Sequence, residues 1–457
     1  MRKKELIILI VIFLIALSLR GIALYRLYNS DYFAGIRSGL DASAHNLFLG
    51  NGFSKVTQGK LTPDFQQLPG YSFLLAMTYK IFGHESDIYL QIIQILLSSC
   101  SVFIIFGIAK RFFNKNIALV SSFLWAIWLP EIRLSVAVLY DTSAVFLTLL
   151  ACYLFFKSVV DNKKYFWIYA AIIIGISLYF RSDSLLLPLF LGIGSWIYKR
   201  NWKAALGKTL TMFLIIFTIL FPWGIRNYLV FHTFTFGRAT LWQSMWEGFG
   251  EFKNPFGAVL SDGVTYEQVA QEYPGIDYAS PQYQDVLKTK VIQAIKTHPG
   301  WYILMMPKRL ISMLFTPRGM GSIGRLLGEH FTRQFFFDHN PGSSNIDYGK
   351  WLLRNNFRGF LLVIIIPALI QGLFVLAAAF GFWFTKQQWR KNLLLLSPLL
   401  YFYLSHVPIY WEARYLVPGE FPYLIFMAYF CVHIFNIYKQ KYLNKPELKR
   451  IKYDSKK

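Results

Sequence analysis

The chain has 457 residues, of which 55% are hydrophobic, 18% aromatic and only 16% charged, and its 47 Lys and Arg against 24 Asp and Glu give a formal charge of +23. Soluble domains carry about 25% charged residues, so an ordinary soluble domain is excluded, and long stretches of Leu, Ile and Phe exclude a basic nucleic-acid binder. Three widely spaced cysteines, Cys100, Cys152 and Cys431, each in an apolar run, exclude a disulfide framework or a zinc site as the organising feature.

A membrane accounts for the balance. Roughly 20 apolar residues of helix cross the hydrocarbon core, and the first such run is 6–24, behind Met-Arg-Lys-Lys. It is longer than the apolar region of a signal peptide and no small-residue cleavage site follows, so it reads as an uncleaved anchor. Further single spans are expected at 90–108, 210–223, 360–384, 393–407 and 416–438. Two longer apolar stretches, 117–156 and 165–198, carry charges only near their middles, at Glu131, Arg133 and Asp141 in one and Arg181 and Asp183 in the other. Each reads as a hairpin of two spans with a charged tip. The expectation is an all-α polytopic membrane protein with about ten transmembrane helices.

Lys and Arg are retained on the cytoplasmic side. Placing the N-terminus inside puts 110–115, 157–164, 199–208, 386–391 and the tail from 439 inside as well, and these segments with the N-terminus hold 24 of the 47 basic residues against four acids, Glu5, Asp161, Glu447 and Asp454. Nearly all of the +23 is then an orientation signal. Both termini are expected in the cytoplasm and two long segments outside, about 29–89 and 224–359. The resulting plan is an N-terminal transmembrane module at 1–223 containing the first loop, a large external loop at 224–359, C-terminal transmembrane helices at 360–438 and a basic tail at 439–457.

Connections of this length are uncommon unless they have a function. The second has helical order of its own. Ser280-Pro281 supplies an N-cap and a first-position proline; Tyr283, Val286, Leu287, Val291, Ala294 and Ile295 recur at helical spacing until His298-Pro299. The following apolar stretch, 301–315, is interrupted by Pro307-Lys308-Arg309, and this charged pair points to a helix lying along the membrane interface rather than to an eleventh span.

Charges at the outer ends of the expected spans converge on one layer. Asp31, Asp41 and Asp64 lie in the first loop, Glu131 and Asp141 at the first hairpin tip, Asp183 at the second, and Glu412 and Glu420 beside the last external turn, with Arg133, Arg181, Arg226 and Arg414 among them. Such groups near a bilayer are costly and mark functional sites. Carboxylates with guanidinium groups at this depth suit a lipid-linked phosphosugar. Arginines grip the phosphate, a carboxylate takes the proton of an incoming hydroxyl, and the phosphate leaves as a stable anion whose charge the arginines offset.

The local sequences support the same chemistry. The first loop reads Gly39-Leu40-Asp41-Ala42-Ser43-Ala44-His45, then Gly50-Asn51-Gly52-Phe53 and Gln67-Leu68-Pro69-Gly70-Tyr71. Later come Asp141, the Arg181 turn, Pro222-Trp223-Gly224-Ile225-Arg226-Asn227-Tyr228, Trp246-Glu247-Gly248 and Glu412-Ala413-Arg414-Tyr415-Leu416-Val417-Pro418. Their order along the chain resembles that of GT-C-fold glycosyltransferases, the broad family of dolichyl-phosphate-mannose protein mannosyltransferases and bacterial aminoarabinose transferases. The resemblance implies a GT-C-like topology with juxtamembrane helices in the two long external loops. It implies inverting transfer from a polyprenyl-phosphate sugar to a lipid, glycan or protein acceptor outside the cytoplasm, in the plasma (inner) membrane. It makes Asp41 the candidate base, Asp141 a second site acid, and Arg181, Arg226 and Arg414 the phosphate contacts. His45, Gln67, Tyr71, Trp246 and Glu247 are candidate substrate contacts; His45 lies four residues after Asp41 and shares its face on a helix. The family's acidic pair is here a lone Asp41 followed by Ala42, and its basic residue before the Pro-Gly element is replaced by Gln66-Gln67. A divalent cation is compatible with the sequence but not indicated by it, and no other cofactor is called for.

Two other readings are open at this point. A lipid-pyrophosphate oligosaccharyltransferase or glycan polymerase is related chemistry, but the Trp-Trp-Asp tripeptide of oligosaccharyltransferases is absent. A lipid-linked sugar transporter or flippase would place its ionisable residues near the midplane of two repeated halves, whereas here they gather at one face.

Overall fold

In hydrocarbon no water pairs with backbone N–H and C=O groups, and a helix pairs them within one segment; the apolar runs accordingly form helices. The computed structural model describes residues 3–28, 40–57, 59–237, 240–278, 280–316, 336 and 345–443. Its first ten helices are α1 (Lys3–Tyr28), α2 (Leu40–Phe48), α3 (Pro69–Phe82), α4 (Ile88–Phe112), α5 (Lys115–Ala126), α6 (Leu129–Val136), α7 (Asp141–Val160), α8 (Phe166–Ser177), α9 (Leu187–Lys199) and α10 (Trp202–Phe231). Next come α11 (Leu241–Phe249), α12 (Asp262–Glu272), α13 (Pro281–Thr297) and α14 (Pro299–Phe315), then helices Asn345–Asn355, Phe357–Phe384, Trp389–His406 and Phe421–Tyr438. Asp31 and most of the basic tail lie outside the described residues.

Among the described residues six helices are long and apolar enough to cross a membrane: α1, α4, α7, α10, Phe357–Phe384 and the last. The pair α5 and α6, bent by 48°, makes a seventh as one broken span. The bend falls just before Pro130 in the first turn of α6, where the missing N–H interrupts the helical ladder. Helices α8 and α9, of 12 and 13 residues, and Trp389–His406 are shorter or more polar. They pack within the bundle, α8 on α7 and α10, and α9 on α10 and Trp389–His406. Six to seven spans therefore stand on length and composition, and ten remains an expectation. The main core joins α1, α4, α5, α7, α8, α10 and the last helix through fully buried residues such as Val102, Trp125, Leu149, Phe156, Ile174, Ile216 and Phe421.

The basic segments gather on one face. Lys110 and Lys115 approach Glu5 at 3.7 and 3.8 Å, Arg111 pairs with Asp161 at 2.8 Å, Lys199 donates to Asn162 at 2.9 Å, and Lys391 donates to the Phe112 carbonyl at 3.0 Å. The connections at the opposite face carry Asp141, Arg181 and Arg414.

One charge pair departs from the expected layer. Glu131 is fully buried within the bundle, where its Oε1 accepts from the Ser98 hydroxyl at 2.7 Å. The same hydroxyl accepts from Nε of Arg20, on α1, at 2.6 Å, and Arg20 also donates to the carbonyls of Ala16 and Ala126. Arg20, fully buried inside the first apolar run, is the counter-charge that pulls Glu131 inward: a lone guanidinium at that depth is costly without a carboxylate beside it.

The second long connection forms a helical lobe with its own core of Trp246, Phe249, Val269, Tyr283, Leu287, Val291 and Met305. Helix α13 runs Pro281–Thr297 as the spacing predicts, and its Ser280 hydroxyl accepts from the Tyr283 amide at 3.2 Å. Helix α14 does not break at Pro307. Met305, Arg309 and Met313, on either side of the proline, are buried, and packing of both turns outweighs the one hydrogen bond a proline removes. Its Ile303, Leu304, Ile311 and Phe315 are exposed.

Candidate functional site

A small core next to the main one sets the site. Leu40 and Ala44 of α2 pack there with Tyr71, Leu75 and Tyr79 of α3, Leu90 of α4, and Val138 and Tyr140 from the α6–α7 connection; Phe180, after α8, lies against it. Four of these residues are each followed by a charge, Tyr79 by the exposed Lys80 and three by charges of the expected outer layer: Leu40 by Asp41, Tyr140 by Asp141, Phe180 by Arg181. One apolar cluster thus anchors three segments far apart in sequence and sets their charged residues around its edge. Gly70 makes the anchoring possible. Its amide donates to the Tyr179 carbonyl at 2.9 Å, and a Cβ there would lie 2.7 Å from that oxygen.

At the edge, Asp141 is fully buried in the first turn of α7. Arg181 Nη1 donates to its Oδ1, and Arg414 Nη1 stands 3.8 Å from its Oδ2. Each arginine has a second carboxylate: Arg181 Nη2 donates to Asp183 at 2.5 Å and Arg414 Nε to Glu412 at 2.5 Å. The Tyr415 ring lies between the two guanidinium groups, 4.7 Å from that of Arg181 and 5.2 Å from that of Arg414, a placement in which the ring face attracts both cations. Burial works against the charge on Arg414, and Glu412, Tyr415 and Asp141 more than offset it, so its pKa is held well above the ordinary value. Burial and the Glu412 carboxylate push the Tyr410 hydroxyl up as well. Arg414 keeps 26% of its side chain exposed against 6% for Arg181, so Arg414 is the guanidinium a ligand reaches first, with Arg181 behind it.

Asp41 stands apart from these pairs. It lies partly exposed in the first turn of α2, and among the described residues it has no hydrogen bond or ion pair. Asp64, by contrast, is fully buried and used structurally: it accepts from the Ser43 hydroxyl at 2.7 Å and from the amides of Gln66 and Gln67 at 2.9 and 3.2 Å.

The remaining candidates lie elsewhere. His45 meets Glu85 at 2.8 Å in an exposed pair and does not bond to Asp41. Tyr71 is buried and donates to Gln94 at 2.9 Å, and Gln67 is buried beside Asp64. Arg226, near the end of α10, binds the first connection: it donates to the carbonyls of Asp64 at 3.0 Å and Phe53 at 3.2 Å, and its guanidinium lies 4.9 Å from the Trp223 ring centre. The structure thus joins Arg181 and Arg414 on Asp141 and gives Arg226 to a loop backbone. Trp246 and Glu247 sit in the buried interior of the lobe. Glu247 accepts from Gln243 at 2.9 Å; burial first, and Asp262 second, hold it well above the usual carboxylate range.

The sequence reading missed the short antiparallel hairpin in the first connection, β1 (Ser54–Thr57) on β2 (Lys60–Pro63). Gly59, with φ of 76°, was its available turn signal. It also missed Tyr415, Arg20 and Glu251. Tyr415 had a signal in its place between Arg414 and an apolar turn, and Arg20 one in being a lone charge in an apolar run; Glu251 had none.

Bundle and site together define a class of protein: integral in the membrane, helical but for one short hairpin among the described residues, with two arginines converging on a buried aspartate at the face opposite its basic one. Residues 66–225, about a third of the chain, match the family described as dolichyl-phosphate-mannose-protein mannosyltransferase. This glycosyltransferase match takes in Pro69-Gly70, Asp141 and Arg181; Asp41 precedes it and Arg226 and Arg414 follow it. Similar solved structures include the Archaeoglobus fulgidus oligosaccharyltransferase tethered with an acceptor peptide (13% identity, TM-score 0.49, 98% of this chain and 51% of that chain) and its apo form (13%, 0.49, 94% and 50%). A third is the archaeal oligosaccharyltransferase AglB from Archaeoglobus fulgidus in complex with an inhibitory peptide and a dolichol-phosphate (13%, 0.48, 96% and 51%). The chain spans about half the length of these structures. No curated protein matches it.

Proposed function

We propose that the chain is an integral-membrane inverting glycosyltransferase that moves a sugar from a polyprenyl-phosphate donor to a lipid, glycan or protein acceptor. The face carrying Asp141, Arg181 and Arg414 is the extracytoplasmic face of the plasma (inner) membrane, and both termini are cytoplasmic. The observation that carries the reading is the edge of the small core, where Asp41, a carboxylate with no partner among the described residues, and two guanidinium groups on Asp141 are anchored by one set of apolar residues.

In the reaction the acceptor hydroxyl oxygen attacks the anomeric carbon and its proton passes to the Asp41 carboxylate. The bond from that carbon to the phosphate oxygen breaks, and polyprenyl phosphate leaves with the electron pair. Its new charge faces Arg414, with Arg181 held behind by Asp141 and Asp183. Asp141 acts by holding the two arginines together, and Asp41 by accepting the proton. The segment match to a mannosyltransferase family supports this reading.

Asp41→Asn tests it. The variant keeps the shape of a partly exposed side chain and removes the proton acceptor, so it should fold and insert normally and lose about 10²–10⁴ of the transfer rate from a polyprenyl-phosphate sugar. Undiminished transfer by that variant rejects Asp41 as the base. Movement of donor across proteoliposomes without any glycosylated product would instead favour a flippase.

A further inference from the structure

The segment that carries Glu412 and Arg414 begins at the end of helix Trp389–His406, and the lobe holds it from the other side. Arg309 of α14 is fully buried and spends its whole guanidinium on this junction. Its Nη1 donates to the Val407 carbonyl at 2.7 Å, its Nη2 to the Gly248 carbonyl at 2.6 Å, and its Nε to Glu251 at 2.7 Å. The other oxygen of Glu251 meets the Trp411 amide at 3.5 Å, and the Tyr302 hydroxyl donates to the Pro408 carbonyl at 2.9 Å. Gly248 closes the contact: a Cβ there would lie 2.2 Å from the Ile409 carbonyl oxygen. The turn is therefore fastened at residues 407, 408, 409 and 411. One residue beyond, Tyr410 donates to Glu412 at 3.0 Å and Glu412 receives Arg414.

We infer that Arg309, Glu251 and Tyr302 are positioning residues that set Arg414 for the donor phosphate, so that the lobe acts on the site by holding this turn. The inference rests on the reading of Arg414 as a phosphate contact. Buried polar networks of this kind fix one arrangement when every member is paired, and removing a link lets the turn and its guanidinium move. Arg309, Tyr302 and Glu251 each bond to the turn itself, at Val407, Pro408 and Trp411, so their effect on the site runs through the turn.

The experiment measures binding of dolichyl monophosphate by the purified full chain in detergent, together with its thermal midpoint, for wild type, Arg414→Lys, Tyr302→Phe, Glu251→Gln and each of the last two combined with Arg414→Lys. Tyr302→Phe removes a single hydrogen bond from a half-buried ring and should fold; Glu251→Gln is the stronger change. The expected result is about threefold weaker binding for Tyr302→Phe and about tenfold for Glu251→Gln, with no further loss when either is added to Arg414→Lys, because residues acting through one group are not additive. Binding unchanged in Tyr302→Phe and Glu251→Gln, while Arg414→Lys weakens it, overturns the inference and leaves the proposed function standing. Losses that add to that of Arg414→Lys overturn it too, by showing a general structural role. Failure of the wild type to bind, or binding indifferent to Arg414→Lys, overturns the phosphate reading itself and the inference with it.

Discussion

Two of the buried arginine networks among the described residues, that of Arg20 and that of Arg181 with Arg414, differ in their wiring. Arg20 has neutral partners, the Ser98 hydroxyl and two carbonyls, and meets its one carboxylate, Glu131, through that serine. Arg181 and Arg414 share Asp141, each has a carboxylate of its own, and one tyrosine ring lies between them. The first network has no spare partner to trade and can only fasten α1, α4 and α6 together. In the second, under the proposed function, an arriving phosphate would take the place of one carboxylate while the other still holds the guanidinium, so the cation would stay aimed through binding and release. Charge number alone does not separate a strut from a site; the number of interchangeable partners does.

The largest effect should come from unbalancing the strut. Glu131→Leu leaves Arg20 buried without its carboxylate and should cost about 3–5 kcal/mol, read as a lowered unfolding midpoint. Arg20→Met combined with Glu131→Leu should recover most of that loss, and transfer activity per folded molecule should stay near wild type. A double variant as unstable as the single one would break the comparison. At the site, Arg181→Lys keeps the charge but loses the fork that reaches Asp141 and Asp183 together. It should lower the transfer rate by about 10²–10³ with a smaller change in midpoint, and a fall in stability without a fall in rate would move Arg181 to the strut class. The smallest effect concerns Glu247, which belongs to neither network. Its pKa is raised by burial and by Asp262, so the stability it contributes is fully present below the ordinary carboxyl pKa and is lost as pH rises through the raised value. Thermal midpoints of the wild type should fall over that interval, and those of Glu247→Gln should fall less.

Much of the bundle was legible because hydrocarbon leaves few ways to satisfy a backbone. The long apolar helices and the helix between Ser280 and His298 follow from local pattern. Asp141, Arg181 and Arg414 were readable as hairpin-tip and turn charges, and the structure brings them together. What was not legible depended on partners distant in the chain. Glu131 reads as an outer charge, and Arg20, 111 residues earlier, draws it inward. Arg226 reads as a charge at the end of a span, and its bonds to the carbonyls of Phe53 and Asp64 come from residues more than 150 positions away. In each case the local signal was right about the cost, and a tertiary contact met that cost elsewhere.

Arg20 also bears on how the chain is made. An arginine at the centre of an inserting helix adds about 2.5–3.5 kcal/mol to the cost of entering the bilayer, and Arg20, beyond the middle of α1, carries part of that cost. Ser98 lies 78 residues downstream and Glu131 further still, so α1 meets the lipid before the groups that neutralise its charge have been synthesised. Its final seat is reached only once α4 and α6 have followed, so α1 settles no earlier than they do.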